Sequence, residues 1–483
     1  MNLYILNHSF HYELENLTRL FYPNEKINVI KENGAFEKPY IKTELTDKLY
    51  AEVSIGDYYK RAEAPLSDDE ENERMLCELV YKMLCEKTSV TPPWGMITGV
   101  RPVKLYRTLK NETGEAEADR FYKNKLFVSG EKLKLAKLTE KTEKKILDLS
   151  RDDSFSLYIA IPFCPSRCKY CSFVQSSVER SKHLVEPYVE LLKRELEYTA
   201  EIASKLNLRL ETVYMGGGTP TTLSAGQMSS VLKTVNDCFD MSACREFTVE
   251  AGRPDTVTRE KLISLKENNV GRISINPQTL NDEVLKIIGR KHTAAQTLEA
   301  YELAREVGFN CINTDLIAGL PGDTVESFKA TLDRICDLSP ECVTVHTLSM
   351  KRSSTLTQDG TQINKDDSVN TALMLSYAEK KLKSEQYIPY YLYRQSRMVG
   401  NLENTGWSKK GYESLYNIYV MDETHTILGC GAGAVSKLKK PRSNYLKRIF
   451  NFKYPYEYIE RYDEQLKRKD EITSFYEGLN TTP

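Results

Sequence analysis

The sequence predicts an α/β protein: a partial (β/α)6 barrel, an α+β domain before it and a mixed α/β region after it. Two observations predict this. Between about 154 and 360, six strand-like segments alternate with segments of helical length, the pattern of a parallel sheet with helices outside. Six units are short of the eight that close a full barrel, so the sheet is expected to stay open. Neither flank carries the alternation. The expected divisions are therefore 1–150, 151–360 and 361–483.

In the first division, Leu3–Leu6, Ile27–Ile30 and Ala51–Ile55 read as short strands. Asp68–Lys87 reads as a helix whose acidic first turn suits the helix dipole. Lys132–Asp148 reads as a second helix, lysine-rich and mostly solvated. The segment from Trp94 to Arg101 reads as a packed turn and carries no chemical signature. In the second division the strands are Ser156–Ile161, Thr212–Met215, Phe247–Glu250, Arg272–Ile275, Ile312–Ile317 and Cys342–Thr347. Leu184–Leu206, Thr258–Asn268, Ala294–Val307 and Thr324–Cys336 have helical length and pattern. In the third division Ser368–Glu385 is helical, followed by Tyr-rich strands and turns. Arg442–Arg448 is basic there. It reads as a solvated face, with contact to substrate carboxylates as the sharper alternative.

The chain has 483 residues, 40% hydrophobic and 28% charged, ordinary for a globular protein. Lys plus Arg is 67 against 68 for Asp plus Glu, which argues against a dedicated nucleic-acid binder. The first residues show no basic, apolar signal pattern, and no run is long enough to span a membrane, so a cytoplasmic location is expected. Eleven cysteines in such a setting imply thiols and metal ligands rather than disulfides.

Three of them, Cys164, Cys168 and Cys171, form C-x3-C-x2-C just after the first barrel strand. Thiolates suit iron–sulfur clusters, and three of them leave one iron of a [4Fe–4S] cube without a protein ligand. An open position is what marks a catalytic metal site. A zinc knuckle or plain core packing is the blander alternative, with His183 the nearest later histidine. The second strand ends in Gly216-Gly-Gly-Thr-Pro, where backbone can approach a ligand and successive N–H groups can bind polar groups. Glu250 and Asp315 end apolar strands, where a lone carboxylate is costly to bury.

With these motifs, the chain resembles the radical S-adenosylmethionine (SAM) superfamily, and within it the oxygen-independent coproporphyrinogen III oxidase (coproporphyrinogen dehydrogenase) family. The resemblance covers about 155–437. It rests on Tyr158, the three cysteines, Gly216–Thr221, Glu250, Asn276-Pro-Gln278, Gly289-Arg-Lys-His292, Asn313–Ile317, Gly319-Leu-Pro-Gly322 and Gly431-Ala-Gly-Ala-Val435. The long N-terminal domain and Tyr416-Asn-Ile-Tyr419 resemble a branch found in anaerobic and spore-forming bacteria.

The resemblance implies a radical SAM barrel with the cluster on Cys164, Cys168 and Cys171. It implies a first SAM on Tyr158, Gly217, Gly218, Thr219 and Glu250. A second SAM would lie at Tyr170, Gln278, Arg290, Asp315 and Ser349, and Val435 is a further cofactor position. His425 reads as a structural, hydrogen-bonded residue, and His346, at the end of the sixth strand, is another imidazole within reach of the pocket, for proton transfer or for packing alike. The implied reaction is radical oxidative decarboxylation of coproporphyrinogen III propionates to vinyls, giving protoporphyrinogen IX in anaerobic heme biosynthesis. It needs a low-potential donor such as flavodoxin or ferredoxin, and a monomer is expected. Two positions depart from the family patterns. Phe173 replaces the fourth cysteine of the dehydrogenase branch. Tyr416-Asn-Ile-Tyr419 replaces the His-Asn pair of the heme-chaperone branch. The alternatives are therefore a heme-binding delivery protein, or another radical SAM enzyme acting on a tetrapyrrole.

Overall fold

The computed structural model describes residues 1–32, 34–173, 176–362 and 364–480. The chain divides into two compact units. One comprises Met1–Glu140, Gly360–Ala372 and Leu392–Glu403; the other comprises Lys141–Asp359, Leu373–Tyr391 and the chain from Asn404 on.

The first unit carries a five-stranded sheet, ordered Asn28–Ile30, Asn2–Leu6, Tyr40–Leu45, Leu49–Ile55, Tyr58–Ala64. Helix Asp69–Thr88, capped by the Asp68 side chain on the Glu71 N–H, buries Cys77, Val80 and Leu84 in a core shared with Ile41 and Val53. Trp94 is buried and donates from Nε1 to Glu403 Oε2 at 2.8 Å, and Lys132 pairs with the same carboxylate. The helix spans Gly130–Leu147. It is less solvated than its lysine content suggests: Lys132, Leu133, Leu135, Ala136 and Thr139 are all buried, because Glu403 supplies the charge that lets Lys132 leave water.

The second unit is built on an eleven-stranded sheet. Its six central strands are Ser154–Ile161, Arg209–Gly217, Glu246–Glu250, Arg272–Ser274, Ile312–Ala318 and Cys342–Thr347. They lie side by side in sequence order, all parallel. These are the six strands read from the sequence. The sheet continues past them on both sides. Thr426–Cys430 adds in parallel to the first strand, followed by antiparallel Val435–Lys439 and Leu446–Phe450. Asn404–Ser408 adds antiparallel to the sixth, with Ile388–Tyr393 beyond it.

Side-chain alternation sorts the sheet's two faces. Phe155, Leu157, Ile159, Val213, Met215, Phe247, Val249, Ile273 and Ile312 join the core formed with the outer helices. The alternate residues are polar: Ser156, Tyr158, Thr212, Tyr214, Thr248, Glu250, Ser274, Asn313, Asp315, Thr344 and His346. Helices begin where Ser or Thr side chains accept a free N–H: Ser224 from Gln227, Thr258 from Lys261, Thr293 from Gln296 and Thr324 from Ser327. The Arg442–Arg448 run is neutralised locally. Arg442 meets Asp152, Lys447 meets Glu471 and Arg448 meets Glu423. These exposed pairs fit the solvated-face reading. Among the described residues, no helix is long and apolar enough to cross a membrane.

Candidate functional site

The site gathers where the central strands end. Cys164 closes a two-residue ladder with Ser177, and the Cys171 N–H donates to the Cys168 carbonyl at 3.1 Å. Cys164 and Cys168 are buried and Cys171 is half-buried. Cys164 Sγ lies 3.3 Å from Thr219 Oγ1, and Cys168 Sγ 3.8 Å from Arg253 Nη1. Phe173, two places further on, is 65% exposed and takes no part in this packing.

The glycine loop differs from the sequence reading in one respect. Its N–H groups are not a free nest: Gly218 N–H donates to Ile161 O and Thr219 N–H to Phe163 O, both at 2.8 Å. These bonds stitch the second loop to the cysteine loop. A Cβ on Gly218 would stand 2.5 Å from the Phe163 oxygen, and Gly217 has φ +103°, so only glycine permits this approach.

Three tyrosines stack on the polar face of the sheet. Tyr214 and Tyr416 have ring centroids 4.4 Å apart, and Tyr158 lies 6.3 Å from Tyr214 and 6.2 Å from Tyr416. The Tyr214 hydroxyl donates to Glu250 Oε1 at 2.6 Å. Burial, with Asp315 nearby, pushes the Glu250 carboxyl up to about 7, against the pull of that hydroxyl. Burial also pushes on Asp315, but His346 and the Asn313 and Thr344 side chains outweigh it and hold Asp315 below the ordinary carboxylate value. Asn313 Nδ2 donates to Asp315 Oδ1 at 2.8 Å, and His346 Nε2 stands 3.7 Å from Asp315 Oδ2. The helix carrying Tyr416, Leu415–Asp422, is held at its start by Glu246, which accepts from Ser414 Oγ and the Leu415 N–H.

Arg290 is buried. It donates to Asn276 O at 2.9 Å, Gly252 O at 3.2 Å and the Tyr170 hydroxyl at 2.9 Å, anchoring the residue between the second and third cysteines. Gln278 has φ +67° and bonds through its backbone to Asp315 and Ile317. Ser349 is half-buried just past the sixth strand. Val435 opens the strand after the Gly431–Ala434 turn, its backbone close against Gly429, which pairs with Tyr158.

Sequence reading did not find Tyr214, Arg253 or Asp255. Tyr214 was legible in principle as the strand-facing partner of Glu250; Arg253 becomes a neighbour of Cys168 only through folding, with Asp255 gripping it from two residues further on. His425 is structural. Its Nε2 is 2.7 Å from Ser156 Oγ and its Nδ1 3.3 Å from Ser150 Oγ, its ring packs on Tyr419, and burial pushes its pKa down to about 3.

These residues fit an iron–sulfur cluster and a polar cofactor. Among the described residues no three His, Cys, Asp or Glu side chains converge as they would on a single ion. A cube does not require that, because each cysteine binds a different iron. Gln278 Oε1 and Arg290 Nε are buried without a hydrogen-bond partner in the chain, at a cost of about 1–3 kcal/mol each, which a bound polar molecule would relieve.

The fold and cysteine loop are those of a radical SAM protein, and the family model described as "Radical SAM superfamily" matches residues 158–335. The chain is 39% identical to an oxygen-independent coproporphyrinogen-III oxidase-like protein, HemZ, of Bacillus subtilis (strain 168), over 81% of this chain and 79% of that one. It is 31% identical to the heme chaperone HemW of the same organism, over 62% of this chain and 77% of the relative. It is 33% identical to the oxygen-independent coproporphyrinogen III oxidase of Escherichia coli (strain K12), over 39% and 41%. The solved structure of the Escherichia coli coproporphyrinogen III oxidase, itself described as a radical SAM enzyme, superposes with TM-score 0.53 at 23% identity, covering 67% of this chain and 72% of that one. The chain therefore belongs to the oxygen-independent coproporphyrinogen III oxidase-like family of radical SAM proteins. The cofactors of that superfamily are a [4Fe–4S] cluster and SAM.

Proposed function

We propose that the protein catalyses radical oxidative decarboxylation of coproporphyrinogen III, converting propionates to vinyls. The observation that carries this reading is the polar face of the sheet, on which Tyr158, Tyr214, Glu250, Asp315 and His346 converge beside the cysteine loop. Cys164, Cys168 and Cys171 would hold the cluster. Gly217, Gly218, Thr219 and Glu250 would hold SAM, with Tyr170, Gln278, Arg290, Asp315, Ser349 and Val435 as further cofactor contacts. Bound together, cluster and SAM supply one-electron cleavage that yields a hydrogen-abstracting radical.

The chain's own residues do the rest. Glu250, with its carboxyl near 7, ionises readily when a cation such as the SAM amine approaches. Asp315 stays charged and oriented by Asn313, ready to accept from hydroxyls. The tyrosine stack lines the polar face of the sheet, where its ring surfaces would help to keep water from a reactive radical. His346, half-exposed beside Asp315, is placed to donate a hydrogen bond to a substrate carboxylate or to move a proton. Each conversion removes one hydrogen atom, carbon dioxide and one electron, so a reductant such as flavodoxin or ferredoxin and an electron acceptor are both needed. Residues from 361 on would cover the substrate.

The test is anaerobic incubation of reconstituted protein with SAM, reductant and coproporphyrinogen III. Formation of 5′-deoxyadenosine together with vinyl-bearing porphyrinogen is expected. Cleavage of SAM without vinyl product, even with an electron acceptor, overturns the substrate assignment. Cys168→Ala should abolish the cluster's visible absorption, and an intact cluster in that variant contradicts the ligand set. A second reading, heme delivery, is favoured by the long match to the heme chaperones. It predicts stoichiometric heme binding without vinyl formation. Tyr416, buried in the stack, offers no imidazole for it.

A further inference from the structure

Arg253 lies three residues beyond Glu250, where the third central strand runs into the turn Pro254–Thr256. It is 3% exposed. Its guanidinium works in two directions. Nε and Nη2 grip the Asp255 carboxylate, each at 3.0 Å. Nη1 reaches the cysteine loop, 3.2 Å from Ser166 Oγ and 3.8 Å from Cys168 Sγ. A bidentate carboxylate fixes an arginine's plane, so the direction of Nη1 is set by Asp255. Other charged and titratable groups lie nearby, and none of their hydrogen bonds described here goes to Cys168. Arg290 is spent on Tyr170 and two carbonyls, Arg167 donates to Ser353 O, and the buried His292 ring stands 3.7 Å from Asp255. Arg253 thus brings a fixed positive charge and a hydrogen-bond donor to the sulfur of one cluster ligand.

The potential of an iron–sulfur cluster follows net charge and hydrogen bonding at its sulfurs. The reduced cluster carries one more negative charge than the oxidised one, so a cation at a ligand sulfur stabilises the reduced form and raises the potential. We infer that Arg253 tunes the reduction potential of the cluster bound through Cys168, with Asp255 holding it in place and tempering its charge. This rests on the assignment of the three cysteines as cluster ligands and is independent of the substrate.

The experiment is an anaerobic redox titration of the reconstituted full-length protein, followed by electron paramagnetic resonance, without and with SAM. Arg253→Gln is expected to lower the reduced-to-oxidised ratio at a fixed potential about tenfold, a fall of about 59 mV for one electron. Arg253→Lys keeps the charge and is expected to stay nearer the wild type. Asp255→Asn leaves the arginine's charge unbalanced and is expected to shift the potential the opposite way, upward. A merely structural role does not produce opposite signs. An unshifted potential in Arg253→Gln with a full cluster overturns the inference. Should Arg253→Gln fail to hold a cluster, Asp255→Asn decides: a rise supports the inference, and an unchanged or lower potential overturns it. A wild-type protein that assembles no cluster overturns the ligand assignment itself, a distinct result.

Discussion

Glu250 shows what a single side chain's surroundings do to its chemistry. An ordinary glutamate titrates near 4.5; here burial moves it to about 7, against the pull of the Tyr214 hydroxyl and the Gly217 backbone. Between those values the folded protein binds more protons than the unfolded chain. The group's contribution to stability is therefore fully present below 4.5 and lost as pH rises through about 7. Glu250→Gln removes that dependence. From pH 5 to pH 8 the wild type should lose on the order of 2 kcal/mol relative to the variant, read from denaturant unfolding of both proteins at both pH values. An equal difference at the two pH values contradicts the assignment. Asp315 behaves oppositely: two carboxylates share the polar face of the sheet, and the one beside His346 keeps its charge. Such a divided pair is a usual mark of a working site.

At the scale of elements, the glycine loop and helix Val178–Lys205 carry the clearest consequences. Gly218→Ala puts a methyl group 2.5 Å from the Phe163 oxygen, so the loops after the first and second strands must part. A loss of about 2 kcal/mol and weakened cluster retention are expected, measured by unfolding and by iron content per chain. A fully loaded variant of wild-type stability would show that the contact relaxes freely. Helix Val178–Lys205 buries Glu195, which accepts from the Gly431 N–H, Asn451 and the Tyr458 hydroxyl and pairs with the equally buried Lys469 of the last helix. Glu195→Ala strands that ammonium and should cost about 3–5 kcal/mol. The double variant Glu195→Met, Lys469→Leu should recover much of it, because an apolar pair leaves no buried charge. Recovery that fails would place the value of Glu195 in its other bonds, to Asn451, Tyr458 and the Gly431 turn.

For the whole molecule, the two compact units draw on segments far apart in the chain. The first takes residues 360–372 and 392–403 in addition to its N-terminal part. Glu403 is buried there against Trp94 and Lys132. A chain starting at Lys141 would keep Glu403 while losing both partners, and an unpaired buried carboxylate is costly. Such a truncation is expected to aggregate, as followed by size-exclusion chromatography. A monodisperse 141–483 with an intact cluster spectrum would show that the second unit stands without the first.

The sequence by itself determined the central architecture. Six strands alternating with helices were legible because their apolar faces repeat at the strand and helix periods, and local caps such as Ser224 and Thr293 start the helices. The cysteine spacing was legible because three ligands within eight residues form a local motif. Only the tertiary structure decided the rest. The strands that extend the sheet on both edges are short and patterned only by their neighbours, and the pairing of Thr426–Cys430 with the first strand spans most of the chain. The glycine loop's N–H groups pair across loops, so its sequence alone showed flexibility without showing what the backbone donates to. Tyr214 on Glu250, Tyr416 on Tyr214 and Arg253 beside Cys168 are contacts between distant segments. Periodicity and spacing report what a residue's near neighbours require. Electrostatics in a buried site depends on which remote side chains arrive there, and folding alone sets that.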